Sequence, residues 1–192
     1  MPRKTRTHLD KNAVVEAAVE ILNKEGIGAL SLSRLADELG IKTPSLYNHV
    51  NGLAGLQQEL DAMNAKLLAN RLGDAAMGKS GVELFIDVAQ AFRAYVKEYP
   101  GLYMSTLRAS GDQQVQDESL QREEERAMKV GFAIMASLGL QGEDAVHGLR
   151  AFRSMVHGFA TLEVAGGFGL PQDCDESFRR LVSALVAGLQ KN

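Results

Sequence analysis

Apolar residues return every three to four positions along most of the chain, and nowhere do β-branched residues alternate over the length of a strand. That periodicity predicts an all-α protein. The first helix has a readable start, with Asp10 as N-cap and Leu9 placed to staple onto Val14. Ala17, Ala18, Ile21 and Leu22 continue its apolar face until Gly26 ends it. In a second, shorter segment Leu32, Leu35, Ala36 and Leu39 share one face. Gly40 follows as a left-handed C-terminal residue, with Ile41 able to fold back on Leu35 in a Schellman motif. Thr43-Pro44 then reads as an N-cap hydroxyl followed by proline at N1, where its missing N–H costs nothing, and Leu46 and Val50 form the inner face of a third helix. Two short helices joined through a glycine turn predict a helix-turn-helix.

Beyond Gly52 the expected helices lengthen. They run from about Leu53 to Leu72, Val82 to Tyr99, Glu118 to Leu138 and Glu143 to Glu163, with a short segment from Leu102 to Leu107 after a break at Pro100-Gly101. A polar stretch, Ser110 to Asp117, precedes the third of these. The last helix carries Phe178, Leu181, Val182, Leu185, Val186 and Leu189 on one face. Such a stripe suits a partner subunit or the chain's own core, and periodicity does not choose between them. The lengthening divides the chain into a head, residues 1–51, and a larger helical domain, residues 52–192.

Composition narrows the function classes. The 192 residues are 45% hydrophobic and 23% charged, so a proper core is available. One cysteine, Cys174, rules out an internal disulfide, a CxxC pair and a zinc finger. No apolar run reaches membrane-spanning length, and the first residues lack the apolar region of a secretory signal. A cytoplasmic protein with no membrane partner is expected. The 21 basic and 24 acidic residues give a net charge of −3, which speaks against a general polyanion binder. Yet Arg3, Lys4 and Arg6 form a basic arm without an acid among the first seven residues.

The chemistry of a groove-reading helix needs exposed donors and acceptors near its N-terminus. Thr43, Ser45, Tyr47, Asn48 and His49 supply that face, with Lys42 just before it and Ser33 and Arg34 on the preceding helix. Tyr47 and His49 can donate to phosphates, Thr43 and Pro44 can meet a thymine methyl, and Asn48 can pair with adenine. Tyr47 could equally pack on the first helix and His49 cap the third.

The order Leu35-Ala36, Leu39-Gly40-Ile41, then Ser45-Leu46-Tyr47-Asn48-His49-Val50 resembles the TetR/AcrR family of bacterial transcriptional regulators, and the match covers about the first 55 residues. Matched positions imply DNA contacts by Ser33, Lys42, Thr43, Pro44, Ser45, Tyr47 and His49. The lysine that many members carry at the start of the fourth helix is absent from Asn51-Gly52-Leu53-Ala54, leaving Arg3, Lys4 and Arg6 as substitutes. Val156-His157-Gly158 resembles the Trp-His-Gly segment of one C-terminal subgroup, with valine in place of tryptophan.

The resemblance implies a homodimer formed through the last two long helices, a double-stranded DNA operator as partner, and a repressor released by a small lipophilic effector. Candidate pocket residues are Met63, Leu67, Phe92, Tyr95, Tyr103, Met104, Phe132, Met135, Phe152, Met155, His157 and Phe159. The same methionine and aromatic stripe is what an ordinary core requires, and His157 could be a buried histidine or a polar hook. The candidate dimer face is Phe178, Leu181, Val182, Leu185, Val186 and Leu189. No cofactor is implied. No metal site is expected: His147 and His157 lack ligand-spaced partners, and Asp173, Asp175 and Glu176 suit a helix start. Walker A, HExxH and GxSxG motifs are absent, so an enzyme is not expected. A helical protein-interaction module remains the alternative, but it leaves the polar face and basic arm without a role.

Overall fold

The computed structural model describes residues 9–107 and 118–190. Among the described residues there are nine α-helices and no strand: α1 (Lys11–Glu25), α2 (Leu32–Leu39), α3 (Thr43–Leu46), α4 (Gly52–Ala76), α5 (Gly81–Glu98), α6 (Pro100–Ser105), α7 (Glu118–Ser137), α8 (Gly142–Val164) and α9 (Cys174–Leu189). The all-α expectation holds. The basic arm Arg3, Lys4 and Arg6 and the stretch Ser110 to Asp117 lie outside the described residues.

The described chain falls into two compact units, one of residues 9–64 and 101–107, the other of residues 65–100 and 118–190. The division falls inside α4. In the first unit Asp10 caps α1, its carboxylate accepting from the Ala13 amide at 2.8 Å, and Val14, Ala18, Ile21 and Leu22 bury the helix's inner face. Gly26, at φ 85°, ends α1, and a single 3-10 turn over Ile27–Ala29 leads to Ser31. Ser31 Oγ accepts from the Arg34 amide at 3.1 Å and so starts α2. Gly40 adopts the left-handed conformation (φ 66°, ψ 32°). Its amide donates to Asp37 and that of Ile41 to Ala36, at 3.1 and 3.0 Å, which are the two bonds of a Schellman motif.

Two local expectations change. Thr43 is the first helical residue rather than the cap, and Lys42 holds the extended cap position with no side-chain bond. The Pro100-Gly101 pair does not merely break a helix; it opens α6. Asn23 Oδ1 accepts from the amides of Gly101 and Leu102 at 2.9 and 3.1 Å, capping α6 with a side chain from α1. A Cβ on Gly101 would land on the Leu22 carbonyl, so the two backbones meet where only glycine fits.

The second unit is built on α5, whose Phe85, Val88, Ala89, Phe92, Tyr95 and Val96 are buried. Ile134 and Met135 of α7, Phe152 and Val156 of α8, and Phe178, Val182 and Val186 of α9 complete this core. Phe85 and Phe152 meet edge to face with centroids 5.0 Å apart.

Candidate nucleic-acid interface

The segment from Thr43 to Val50 is one α-helical turn followed by tight turns. Backbone bonds continue from Tyr47 to Pro44, Asn48 to Ser45, His49 to Leu46 and Val50 to Leu46, at 3.3, 3.4, 2.9 and 3.0 Å. A single turn has no stability of its own, because nucleation is unfavourable. Leu46 and Val50, 0% and 5% exposed, pin it from below against the head's core. Their burial turns the other side chains outward. Lys42, Pro44, Tyr47 and Asn48 are exposed, while Thr43, Ser45 and His49 are half-buried at the same surface. Tyr47 is 58% exposed, so it does not serve as a packing residue of the first helix. Ser33 is exposed on the outer side of α2.

Arg34 has a different setting. Its guanidinium donates to both oxygens of Glu25, at 2.6 and 3.3 Å, and to Glu38 at 2.8 Å. The Arg34 hydrogen bond holds the Glu25 carboxyl below the usual carboxylate range, and the two glutamates in turn push the guanidinium's pKa up. On α4, which leaves this surface at Gly52, burial pushes the Asp61 carboxyl up against the opposing hydrogen bond from Gln57.

Of the candidate pocket residues, Met63, Tyr103 and Met104 belong to the first unit and the other nine to the second. Within their units, Tyr103, Phe92, Tyr95, Met135, Phe152 and Phe159 are buried, Met63, Leu67, Met155 and His157 are half-buried, and Met104 and Phe132 are exposed. Much of the stripe is therefore core. Met135 lies against Gly148, where a Cβ would be 2.6 Å from its sulfur, and Phe159 packs between Phe168 and Phe178 at centroid distances of 4.7 and 5.0 Å. A shallow depression of about 480 Å³ is lined by Arg93, Ala94, Lys97, Glu98 and Asp175, none of them predicted pocket residues.

The stripe of α9 divides into two rows. Phe178, Val182 and Val186 face the chain's own core at 0%, 2% and 5% exposure. Leu181 is exposed, and Leu185 and Leu189 are half-buried beside it. The sequence reading missed the cluster behind this helix. Arg93, its side chain 5% exposed, donates to Glu163 of α8 at 2.7 and 2.6 Å and to Asp175 of α9 at 2.7 Å. Its guanidinium lies over the rings of Phe178 and Phe159, 4.9 and 5.4 Å from their centroids. Lys97 reaches Glu163 at 2.8 Å. The signal available in the sequence was an arginine among the buried positions of α5. Among the described residues, no group of three or more His, Cys, Asp or Glu is placed to hold a metal ion.

Known proteins carry the same two parts. Residues 14–50 match the family model described as bacterial regulatory proteins, tetR family, and residues 85–185 match that of the tetracyclin repressor-like C-terminal domain. The chain is 31% identical over 185 residues to the uncharacterized HTH-type transcriptional regulator Rv0681 of Mycobacterium tuberculosis, covering 95% of this chain and 83% of that one. It is 28% identical over 188 residues to the uncharacterized HTH-type transcriptional regulator YobS of Bacillus subtilis, covering 97% and 96%. The solved structure of BioQ with its double-stranded DNA operator superposes with a TM-score of 0.67 at 25% identity, covering 96% of this chain and 100% of that one. These matches indicate a regulator rather than an enzyme. No helix among the described residues is long and apolar enough to cross a membrane. With both family models matched along the chain and an outward polar row on a helix-turn-helix, the chain belongs to the TetR family and is a DNA-binding transcriptional regulator.

Proposed function

We propose that this regulator works as a homodimer, that its two heads engage a palindromic operator, and that it represses until a small lipophilic effector releases it. The observation that carries this reading is the row of polar side chains from Thr43 to His49, turned outward because Leu46 and Val50 are buried beneath them. Residues 1–51 are the DNA head in this reading and residues 52–192 the effector and dimer domain.

At the DNA, Ser33, Lys42, Tyr47 and His49 contact phosphates, fixing register without reading sequence. Thr43, Pro44, Ser45 and Asn48 face base edges. The arm residues Arg3, Lys4 and Arg6 add phosphate contacts in place of the missing α4 lysine. The outer row of α9, Leu181, Leu185 and Leu189, supports an interface between copies. Gly158 of α8 supports it too: a Cβ there meets nothing within 4 Å, which leaves room for another backbone to approach. In the second unit, Leu67, Met155 and His157 are the half-buried candidates that a guest could touch without dismantling the core. Release requires the effector to bind the DNA-free form more tightly, by the factor that DNA affinity falls.

Fluorescence polarisation with DNA flanking the regulator's own gene tests the operator reading. Salt-sensitive binding that a scrambled duplex does not compete away is expected, and its absence at micromolar protein would overturn the proposal. A thermal-shift screen of lipophilic compounds tests the effector reading, which fails if none moves the melting point.

A further inference from the structure

Arg34 stands third in α2, after the Ser31 cap, in a first turn that contains no acid. A cation there opposes the helix macrodipole. Glu25 is the last residue of α1, an anion at the end that favours cations. Each charge is poorly placed on its own helix, and they face one another across the joint between the two. The guanidinium spans both Glu25 oxygens, and Glu38, one turn along α2, supports it from behind. The joint itself is lightly constrained, being Gly26, one 3-10 turn and the extended Ser31. Whatever fixes the angle at which α2 leaves α1 also fixes Thr43 to His49, because the Schellman turn at Gly40 ties α3 closely to α2.

We propose that Arg34 is a positioning residue of the DNA-reading head, a strut that fixes α2 and α3 against α1 through Glu25 and Glu38, and not a phosphate contact. The contrast with Lys42 supports this assignment. Lys42 is exposed and, among the described residues, no ion pair engages it, whereas the Arg34 fork is occupied by two carboxylates in a cluster of net charge −1. A phosphate approaching Arg34 would find only Nη1 outside these bonds and would meet the repulsion of the two carboxylates beside it.

The inference rests on DNA reading by the head, so the probe is a duplex selected by the wild-type protein from a random-sequence library, with its scrambled counterpart. Failure of the wild type to select any duplex would overturn both readings. Given selection, Kd is measured against salt for the full chain and for Arg34→Gln, Arg34→Lys, Glu25→Gln and the double variant Glu25→Gln/Arg34→Gln. A strut predicts that Arg34→Gln and Glu25→Gln each weaken binding about tenfold and lower selectivity over the scrambled duplex. It also predicts that the double variant is no worse than either single one, that Arg34→Lys recovers part of the loss, and that the log Kd–log salt slope is that of the wild type. A phosphate contact predicts instead a slope shallower by about 0.9 for each head, with Glu25→Gln neutral or tighter. That result would overturn the proposal. So would a lowered melting point with unchanged Kd and selectivity well below it, which is the signature of a pair that only stabilises the fold.

Discussion

Removing the Glu163 carboxylate tests the least expected feature of the second unit. In Glu163→Gln the amide keeps the shape but drops the charge, and Arg93 stays where it is, with 5% of its side chain exposed. Breaking a buried pair by deleting one partner costs about 3–5 kcal/mol, because the surviving charge is left uncompensated. Asp175 still reaches Arg93 at 2.7 Å, but its side chain is 79% exposed, so water weakens its attraction. A loss of about 2–4 kcal/mol is therefore expected. For a chain of this size it lowers the melting temperature by about 4–16 °C, measurable by circular dichroism and urea titration. Acid gives the second reading. Hydrogen bonds from Arg93, and less from Lys97, hold the Glu163 carboxyl below its ordinary value of 4.5. Its contribution is thus present above that value and is lost as pH falls below it. The gap between wild type and Glu163→Gln should narrow between pH 6 and pH 3. Replacing the pair with apolar residues, Arg93→Met/Glu163→Leu, should return stability to within about 1 kcal/mol of wild type, since no buried charge is stranded. A melting point for Glu163→Gln within 1 °C of wild type, or a gap that does not close in acid, would refute the reasoning.

Three further outcomes are expected. Tyr47→Ala and His49→Ala should each weaken operator binding about fivefold per head, at about 1 kcal/mol for a lost hydrogen bond, with an unchanged far-ultraviolet spectrum; unfolding in either would return that residue to a packing role. Gly101→Ala should cost about 1–3 kcal/mol in urea unfolding, because its Cβ meets the Leu22 carbonyl, whereas Asn23→Asp should unfold near wild type since it keeps the acceptor that caps α6. Gly158→Arg should shift sedimentation from dimer to monomer without lowering the monomer's helix content; a wild-type profile would remove Gly158 from the interface.

Local rules carried much of the fold into the sequence. Asp10, Gly26 and Gly40 act through neighbours three to five residues away, so their capping roles could be read directly and the bonds are where the pattern puts them. The outward polar row was equally visible, because Leu46 and Val50 define its opposite side. What could not be read depends on distant partners. Arg93 lies 70 residues from Glu163, and no local spacing announces their meeting. Gly101 looked like half of a helix breaker because the Leu22 backbone that excludes a side chain lies 79 residues upstream in the chain. The aromatic and methionine stripe has one composition whether it lines a cavity or fills a core, and only burial separated Tyr95 and Met135 from the half-buried Met155. On α9 the six apolar positions form two adjacent rows four residues apart in step, and periodicity assigned both to one face. Packing turned Phe178, Val182 and Val186 inward and left the neighbouring row open to a partner.

The one-turn reading segment also separates two kinds of evolutionary change. Its attachment depends on the buried Leu46 and Val50, and its outline on the turn at Gly40, a residue with no side chain to present. Thr43, Ser45 and Asn48 can therefore be exchanged by mutation while the scaffold beneath keeps its packing. A lineage carrying this head could acquire a new target sequence through a few surface substitutions, each nearly neutral for stability, after a gene duplication has freed one copy.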